Sequence, residues 1–282
     1  MIPAHNEAAV IAETLRTMAG GDDGAADLIV VCNGCTDDTA GIARSAAPHA
    51  TVLELAAGSK PAALNLGLSR ASAFPILFMD ADVRITHHAL SAVADALREP
   101  GVLAASPAAD LVTEACDPWV RAYYRVWRHH PYLREGVGGS GVVGLSEEGV
   151  AQIGEFPAII ADDTFIRSRI PLSRQRRVSE DRSGRPVRSH VLVPRRIGNL
   201  VTCESRWRSG DVQLLAHDPA AADHPGVGAA PVRQLWAASG STRDVVVYYG
   251  IKLAGRLLHR LNRRRGRAGL WHRDESRRRA LG

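Results

Sequence analysis

At 282 residues, 45% apolar and 23% charged, the chain is globular in composition and long enough for one large domain or two small ones. No run of about 18 uninterrupted apolar residues reads as a membrane span. The formal charge of +5 resolves into +9 over residues 243–282, where twelve Arg or Lys stand against three Asp or Glu, and −4 over the other 242; basicity belongs to the tail, and the main domain gives no reason to invoke nucleic acid.

The start, MIPAHNE, lacks a basic segment, an apolar stretch and a small-residue cleavage site, so no secretory signal is read and a cytoplasmic location is the default expectation. Through the first 110 residues, apolar runs bounded by turn residues alternate with helical periodicity. Strands are expected at Asp27–Cys32, Thr51–Leu55, Pro75–Met79 and Val102–Ser106. Helices are expected at Glu7–Met18, Asp37–Ala47, Lys60–Ala73 and Thr86–Arg98. This alternation predicts an α/β fold, a mostly parallel sheet with helices on both faces, which binds ligands at the carboxyl ends of its strands. Met1-Ile2-Pro3 is only the end of a first strand, and the cost of an unpaired central edge favours a native start upstream of Met1.

From Pro118 to Gly141 a helix with Trp119, Tyr123, Tyr124 and Trp127 among Arg121, Arg125 and Arg128 precedes a glycine cluster, GVGGSG. The segment could wall an acceptor pocket, with Gly139 and Ser140 as contacts; the plainer reading, aromatics in the core and arginines in water, is preferred. AHDPAAADHPGVGAAPV, residues 216–232, reads as a linker between a catalytic domain over 1–215 and a basic helical extension over 233–282. In the extension, Lys252, Arg256, His259, Arg260 and Arg263 share one helical face, and Val246, Val247, Leu253, Leu257, Leu258 and Leu261 the other. Such a helix either makes a peripheral membrane contact through residues 243–263 or packs its apolar face on the catalytic domain, and the sequence leaves both open.

FMDAD (Phe78–Asp82) places two carboxylates at i and i+2 after an apolar run, on one side of an extended chain. Two like charges there call for a cation, and Mg or Mn would suit Asp80 and Asp82 and bridge to a diphosphate. Taken alone the pattern reads first as a solvated strand end with a helix-capping Asp. Lysine occurs only at Lys60 and Lys252 against a background of arginine, which makes each retained lysine suggestive of a specific contact. The four cysteines (Cys32, Cys35, Cys116, Cys203) are too few and scattered for a disulfide framework and are expected as reduced thiols. Cys32-x-x-Cys35 finds no further zinc ligands at suitable spacing, nor do His87-His88 and His129-His130, while His217 is a lesser candidate to lie near the metal.

Taken together and in order, IPAHNE (Ile2–Glu7), VVCNGCTDDT (Val30–Thr39), GSKPAALNLGL (Gly58–Leu68), FMDADV and IIADDTFIRSRI (Ile160–Ile170) resemble the family-2 glycosyltransferases of the GT-A fold. The likeness runs from Ile2 to about Gly210, ending with SRWRSG (Ser205–Gly210). It implies a metal-assisted, inverting transfer from a nucleoside-diphosphate sugar, and it implies roles position by position. Pro3, Ala4 and Glu7 belong to the loop that approaches the nucleotide; Asn33 and Asp37 to the turn that holds the base; Lys60 and Asn65 to the segment closing over nucleoside and phosphates. Asp80 contacts the ribose or the metal, Asp82 ligates the metal, Asp162–Asp163 supplies the general base, and Arg206 and Arg208 grip the phosphates. Where the family often has an acidic pair, this chain has Cys32-Asn33, which leaves the nucleotide base open. Within the later pair Asp163 is the expected base, because Asp162 is placed to cap a helix and so to spend its carboxylate on backbone N–H groups.

No Ser-His-Asp or Cys-His nucleophile pattern competes with this reading. A nucleotidyltransferase would want a glycine-rich, basic loop after the first strand, which PAHNEAAV does not supply. A non-catalytic sugar- or lipid-binding scaffold with a basic tail would have no need of intact Asp80, Asp82 and Asp163.

Overall fold

The structure is a computed structural model that describes residues 1–18, 27–224 and 230–266. Its first elements are β1 (Ile2–Ala4), α1 (Ile11–Met18), β2 (Ile29–Asn33), α2 (Thr39–Ala46), β3 (Thr51–Leu55) and α3 (Lys60–Leu68). There follow β4 (Ile76–Met79), β5 (Val83–Ile85), α4 (His87–Leu97), β6 (Ala104–Val112), α5 (Pro118–Trp127), α6 (Pro131–Arg134), β7 (Val142–Leu145) and α7 (Glu147–Ile153). The chain continues through α8 (Asp162–Arg169), β8 (Gln175–Val178), β9 (Arg188–Leu192), α9 (Ile197–His217), α10 (Val232–Ser239) and α11 (Thr242–Arg264). These elements form two compact units. One takes Met1–Asp110, Gly136–Ala158 and Arg169–Val191; the other takes Leu111–Glu135, Ile159–Ser168 and the chain from Leu192.

In the first unit, β1, β2 and β3 form a parallel sheet with Ile2 opposite Val30 and Val30 opposite Val52. Strand β2 is buried along its whole length and feeds two cores, as the alternation of side chains requires. Val30 and Cys32 join Ile11, Leu15, Ala40 and Ala43 of α1 and α2, while Ile29 and Val31 join Ala63 of α3. Met1 donates its amine to the Leu77 carbonyl at 2.7 Å and accepts the Met79 N–H at 3.0 Å, which sets the start of β1 beside β4. A second sheet has the order β4-β7-β6-β9-β5, with β8 on β6; β4–β7, β6–β7 and β5–β9 are antiparallel and β6–β8 is parallel. Hydroxyl caps set several helix starts: Ser59 accepts the Ala62 N–H ahead of α3, Thr86 that of Ala89 ahead of α4, and Ser146 that of Gly149 ahead of α7.

The second unit is helical at its core. Val120, Tyr123 and Tyr124 of α5 pack with Leu200 of α9, Leu235 of α10 and Val245, Tyr248 and Ile251 of α11. The aromatics of α5 are thus core, although Trp119 is half exposed, and Arg125 is tied to Asp244 by two bonds of 2.6 and 2.9 Å. The apolar residues of α11 grouped from the sequence lie largely outward, and the helix packs through a different strip. Asp244, Val245, Tyr248, Ile251, Gly255 and His259 are buried, and Lys252 pairs with Glu204, whereas Val246, Leu253, Leu257 and Leu261 are 66%, 56%, 49% and 48% exposed. The cause lies partly at Gly255, where a Cβ would come within 2.5 Å of the Glu204 Cβ, so that this face alone permits α11 to lie close on α9. Helix α9 passes through residue 215 without a break, and the stretch expected as a linker holds a 3-10 turn at Pro219–Asp223; residues 225–229 and the tail from 267 lie outside the described residues.

Candidate functional site

The candidate residues fall into a group in the first unit and a group in the second. In the first, the loops after β1 and β2 are knitted together. The Asn33 amide donates to the Ala4 carbonyl at 2.9 Å and accepts the Ser59 N–H at 3.0 Å, so both its ends serve the fold. Pro3 and Ala4 are buried within β1. Glu7 is buried, its N–H on the Thr39 hydroxyl at 2.7 Å and its carbonyl accepting the Val10 and Ile11 N–H groups that start α1. Asp37 accepts the Thr39 N–H at 3.1 Å and the Ala8 N–H at 3.3 Å. Two neighbours that sequence reasoning passed over complete the junction: His5 meets the Asn33 carbonyl at 2.6 Å, and Asn6, at φ +53°, accepts the Thr36 N–H at 2.6 Å. Cys32 is buried beneath this loop, and burial, with Cys35 and Glu54 adding to it, pushes its thiol up to about 12; all four cysteines are free thiols.

Beside this junction, Lys60 at the first position of α3 donates to Asp80 Oδ1 at 2.7 Å. Asp80 follows the last residue of β4, and a turn closed by the Val83 N–H on the Asp80 carbonyl at 3.3 Å carries Asp82. The chain is therefore not extended from 80 to 82, and the expected strand alternation of the two carboxylates does not apply. Asp80 is held from behind as well, its N–H on the Gly141 carbonyl at 2.9 Å. Gly141 sits at φ +64°, where a Cβ would strike Val83 at 2.4 Å, so the glycine cluster is what lets this backbone approach Asp80. Within that cluster Ser140 is buried with its hydroxyl on the Val142 carbonyl at 2.7 Å, and Gly139 is half-buried at φ +70°. Asn65 clasps the Phe156 backbone, donating to its carbonyl at 3.0 Å and accepting its N–H at 2.8 Å.

Two carboxylates two positions apart in one turn are hard oxygen donors of the kind Mg or Mn takes alongside substrate phosphates and water, so the donor set fits such an ion. Among the described residues no group of three His, Cys, Asp or Glu gathers to hold a metal by itself.

In the second unit, the first i→i−4 bond of α8 runs from the Phe165 N–H to the Ala161 carbonyl at 2.8 Å, so Ala161 occupies the capping position and Asp162 and Asp163 both lie in the first turn. The capping position thus falls one residue before Asp162, and Asp163 accepts a backbone N–H, from Thr164 at 2.8 Å. Its other oxygen accepts the Tyr132 hydroxyl, and the fully buried Arg167 lies 5.5 Å above the Tyr132 ring while donating to the Glu135 carbonyl. Desolvation first, then the Asp163 charge, raises the Tyr132 phenol well above its ordinary value and keeps it a donor. Arg206 and Arg208 lie on α9, Arg206 half-buried and Arg208 exposed and 4.0 Å from Asp211. Phe165 meets the His217 ring edge-on at 6.2 Å.

The parallel sheet β1-β2-β3, packed by helices, with a lysine and a carboxylate turn beside it at the end of β4, defines an α/β protein. A sequence profile of Glycosyl transferase family 2 matches residues 1–144, and the chain belongs to that family, with its GT-A α/β fold. Solved structures similar to this chain include glucosyl-3-phosphoglycerate synthase from Mycobacterium tuberculosis. Its complex with UDP aligns at 21% identity over 63% of this chain and 67% of that chain, with a TM-score of 0.48. Its complex with Mn2+, UDP-glucose and glycerol 3-phosphate aligns at 20% identity over 63% and 67%, with a TM-score of 0.47. A third, with Mn2+, UDP and glucosyl-3-phosphoglycerate, aligns at 21% over 54% and 57%, with a TM-score of 0.41. A comparison with curated proteins finds no match.

Proposed function

We propose that this protein transfers a sugar from a nucleoside-diphosphate sugar to an acceptor hydroxyl or amine, with inversion at the anomeric carbon. The observation that carries the reading is the Lys60–Asp80 pair at the carboxyl end of β4, one residue from Asp82, in a chain of this family. With a diphosphate present, the Lys60 ammonium has a second anion to serve. A Mg or Mn ion held by Asp82 and Asp80 would offset the charge that develops on the leaving phosphate. Asp163 takes the proton of the acceptor as it attacks, a step worth about 10²–10⁴ in rate. Each carboxylate oxygen has two lone pairs, so the bonds from the Tyr132 hydroxyl and from the Thr164 N–H and hydroxyl leave Asp163 able to accept one more, at the oxygen facing Tyr132. Arg206 and Arg208 are assigned to the donor phosphates.

The test is release of nucleoside diphosphate from a panel of nucleotide sugars, with and without Mg or Mn. Release with one donor, lost in excess chelator and in Asp82→Asn, is the expected result. Pyrophosphate release from a nucleoside triphosphate and a sugar phosphate would replace this reading by nucleotidyl transfer, and turnover unchanged in chelator would remove the ion from it.

A further inference from the structure

We propose that the outward face of α11 docks on an anionic lipid bilayer. This inference shares only Arg208 with the catalytic reading. Val246, Leu253, Leu257 and Leu261 are roughly half or more exposed, and at about 100° per residue they form one stripe along some 22 Å of helix. The opposite face is already committed to α5 and α9 through Tyr248, Ile251 and Gly255. Four large apolar side chains in a row on the solvent side of an anchored helix have no role in its packing.

The charge beside the stripe selects the occupant. Arg256, Arg260 and Arg263 run along one edge of it, and with Arg208, Val212, His259 and Arg264 they line a cavity of about 430 Å³ that among the described residues has no carboxylate in its lining. Guanidinium groups bind phosphate oxygens bidentately, and an apolar row level with them matches the boundary between headgroups and acyl chains. Other occupants fit less well. A second copy of this chain across a two-fold interface would set arginine against arginine, and a nucleic acid would answer the arginines while leaving the leucines in water. No helix among the described residues is long and apolar enough to cross a membrane, so the contact lies in the interface plane. Because α11 is held on α9 and α5, the face is presented ready-formed and a bilayer need not fold it.

The experiment uses the full chain and sedimentation with vesicles of phosphatidylcholine alone or with phosphatidylglycerol. Partitioning should favour the anionic vesicles at least about tenfold and fall with added salt. The triple variant Arg256→Gln, Arg260→Gln, Arg263→Gln should lose about a hundredfold, near fivefold for each cation removed. Leu253→Ser, Leu257→Ser, Leu261→Ser should bind weakly at any salt concentration. Both variants alter exposed positions and should keep the parent unfolding midpoint, which is measured alongside. Equal binding to neutral vesicles, undiminished binding of the leucine variant, or a dimer or RNA complex that depends on these residues without vesicle binding would each overturn the proposal.

Discussion

The Tyr132 hydroxyl donates to one oxygen of Asp163 while the other oxygen accepts the Thr164 N–H at 2.8 Å. A carboxylate held at both oxygens has one orientation, and Tyr132 is the half of that grip a substitution can remove. Tyr132→Phe should therefore lower kcat by about 10–100-fold with little change in the KM for donor, the signature of a positioning residue. Asp163→Asn should cost several orders of magnitude in kcat, and Asp162→Asn far less. Steady-state kinetics on the three variants decides; an Asp162→Asn enzyme as inactive as Asp163→Asn would move the base by one residue.

The Lys60–Asp80 pair separates stability from binding. Both side chains are more than a third exposed, at 35% and 43%, so their mutual attraction adds no more than about 1 kcal/mol to folding. Lys60→Met should leave the urea midpoint nearly unchanged and weaken nucleotide-sugar affinity by about tenfold or more, as titration calorimetry would read. A variant that lost stability and kept affinity would assign the lysine to the fold alone.

Lys252 tells the opposite story. Its ammonium lies 3.0 Å from Glu204 and 4.7 Å from the centre of the Trp127 ring, and Glu204, 5% exposed, also accepts the Tyr123 hydroxyl. Removing the cation strands a buried carboxylate, so Lys252→Met should destabilise by about 2–4 kcal/mol. Adding Glu204→Gln should restore part of that loss. Urea unfolding of the single and double variants measures both steps.

His130 supplies a pH dependence. Its ring is buried, Nδ1 accepts the Tyr132 N–H at 3.1 Å, and burial, then Lys252 and Arg167, lowers its pKa from 6.5 to about 4. A depressed histidine pKa means that the fold favours the neutral ring. The stabilisation is complete above pH 6.5 and is lost as pH falls from there through 4. Unfolding free energy should decline over that window, and His130→Asn, which keeps an acceptor and does not titrate, should flatten the decline. Since α6 carries Tyr132, turnover should fall in the same range.

Where apolar residues met no competing signal, the sequence was readable. Strand β3 fell on the expected Thr51–Leu55, and α3 began at Lys60 behind its serine cap. Both retained lysines do hold ion pairs. Strands β8 (QRRV) and β9 (RSHVL) were missed because polar residues interrupt their alternation. The second unit was not legible at all as a unit. Its core joins α5 to α9 and α11 across wide gaps in the chain, and local periodicity carries no information about such partners. Tyr132 was missed for the same reason, being 31 positions from the carboxylate it holds. The apolar stripe of α11 was legible but the strip that packs was not, because hydrophobicity marks which residues would gain from burial, whereas Gly255 decides how close the neighbouring helix can come.

The Asn33 amide makes one substitution in this chain hard to reverse. Its NH2 must meet the Ala4 carbonyl and its oxygen must meet the Ser59 N–H, so the two neighbours dictate which end is which. An aspartate at this position would keep the second bond and set a carboxylate oxygen 2.9 Å or so from another acceptor, at a site where Asn33 is 4% exposed. The wiring of the β1 and β2 ends thus disfavours the acidic residue at this position and keeps both ends of the residue-33 side chain committed to the fold.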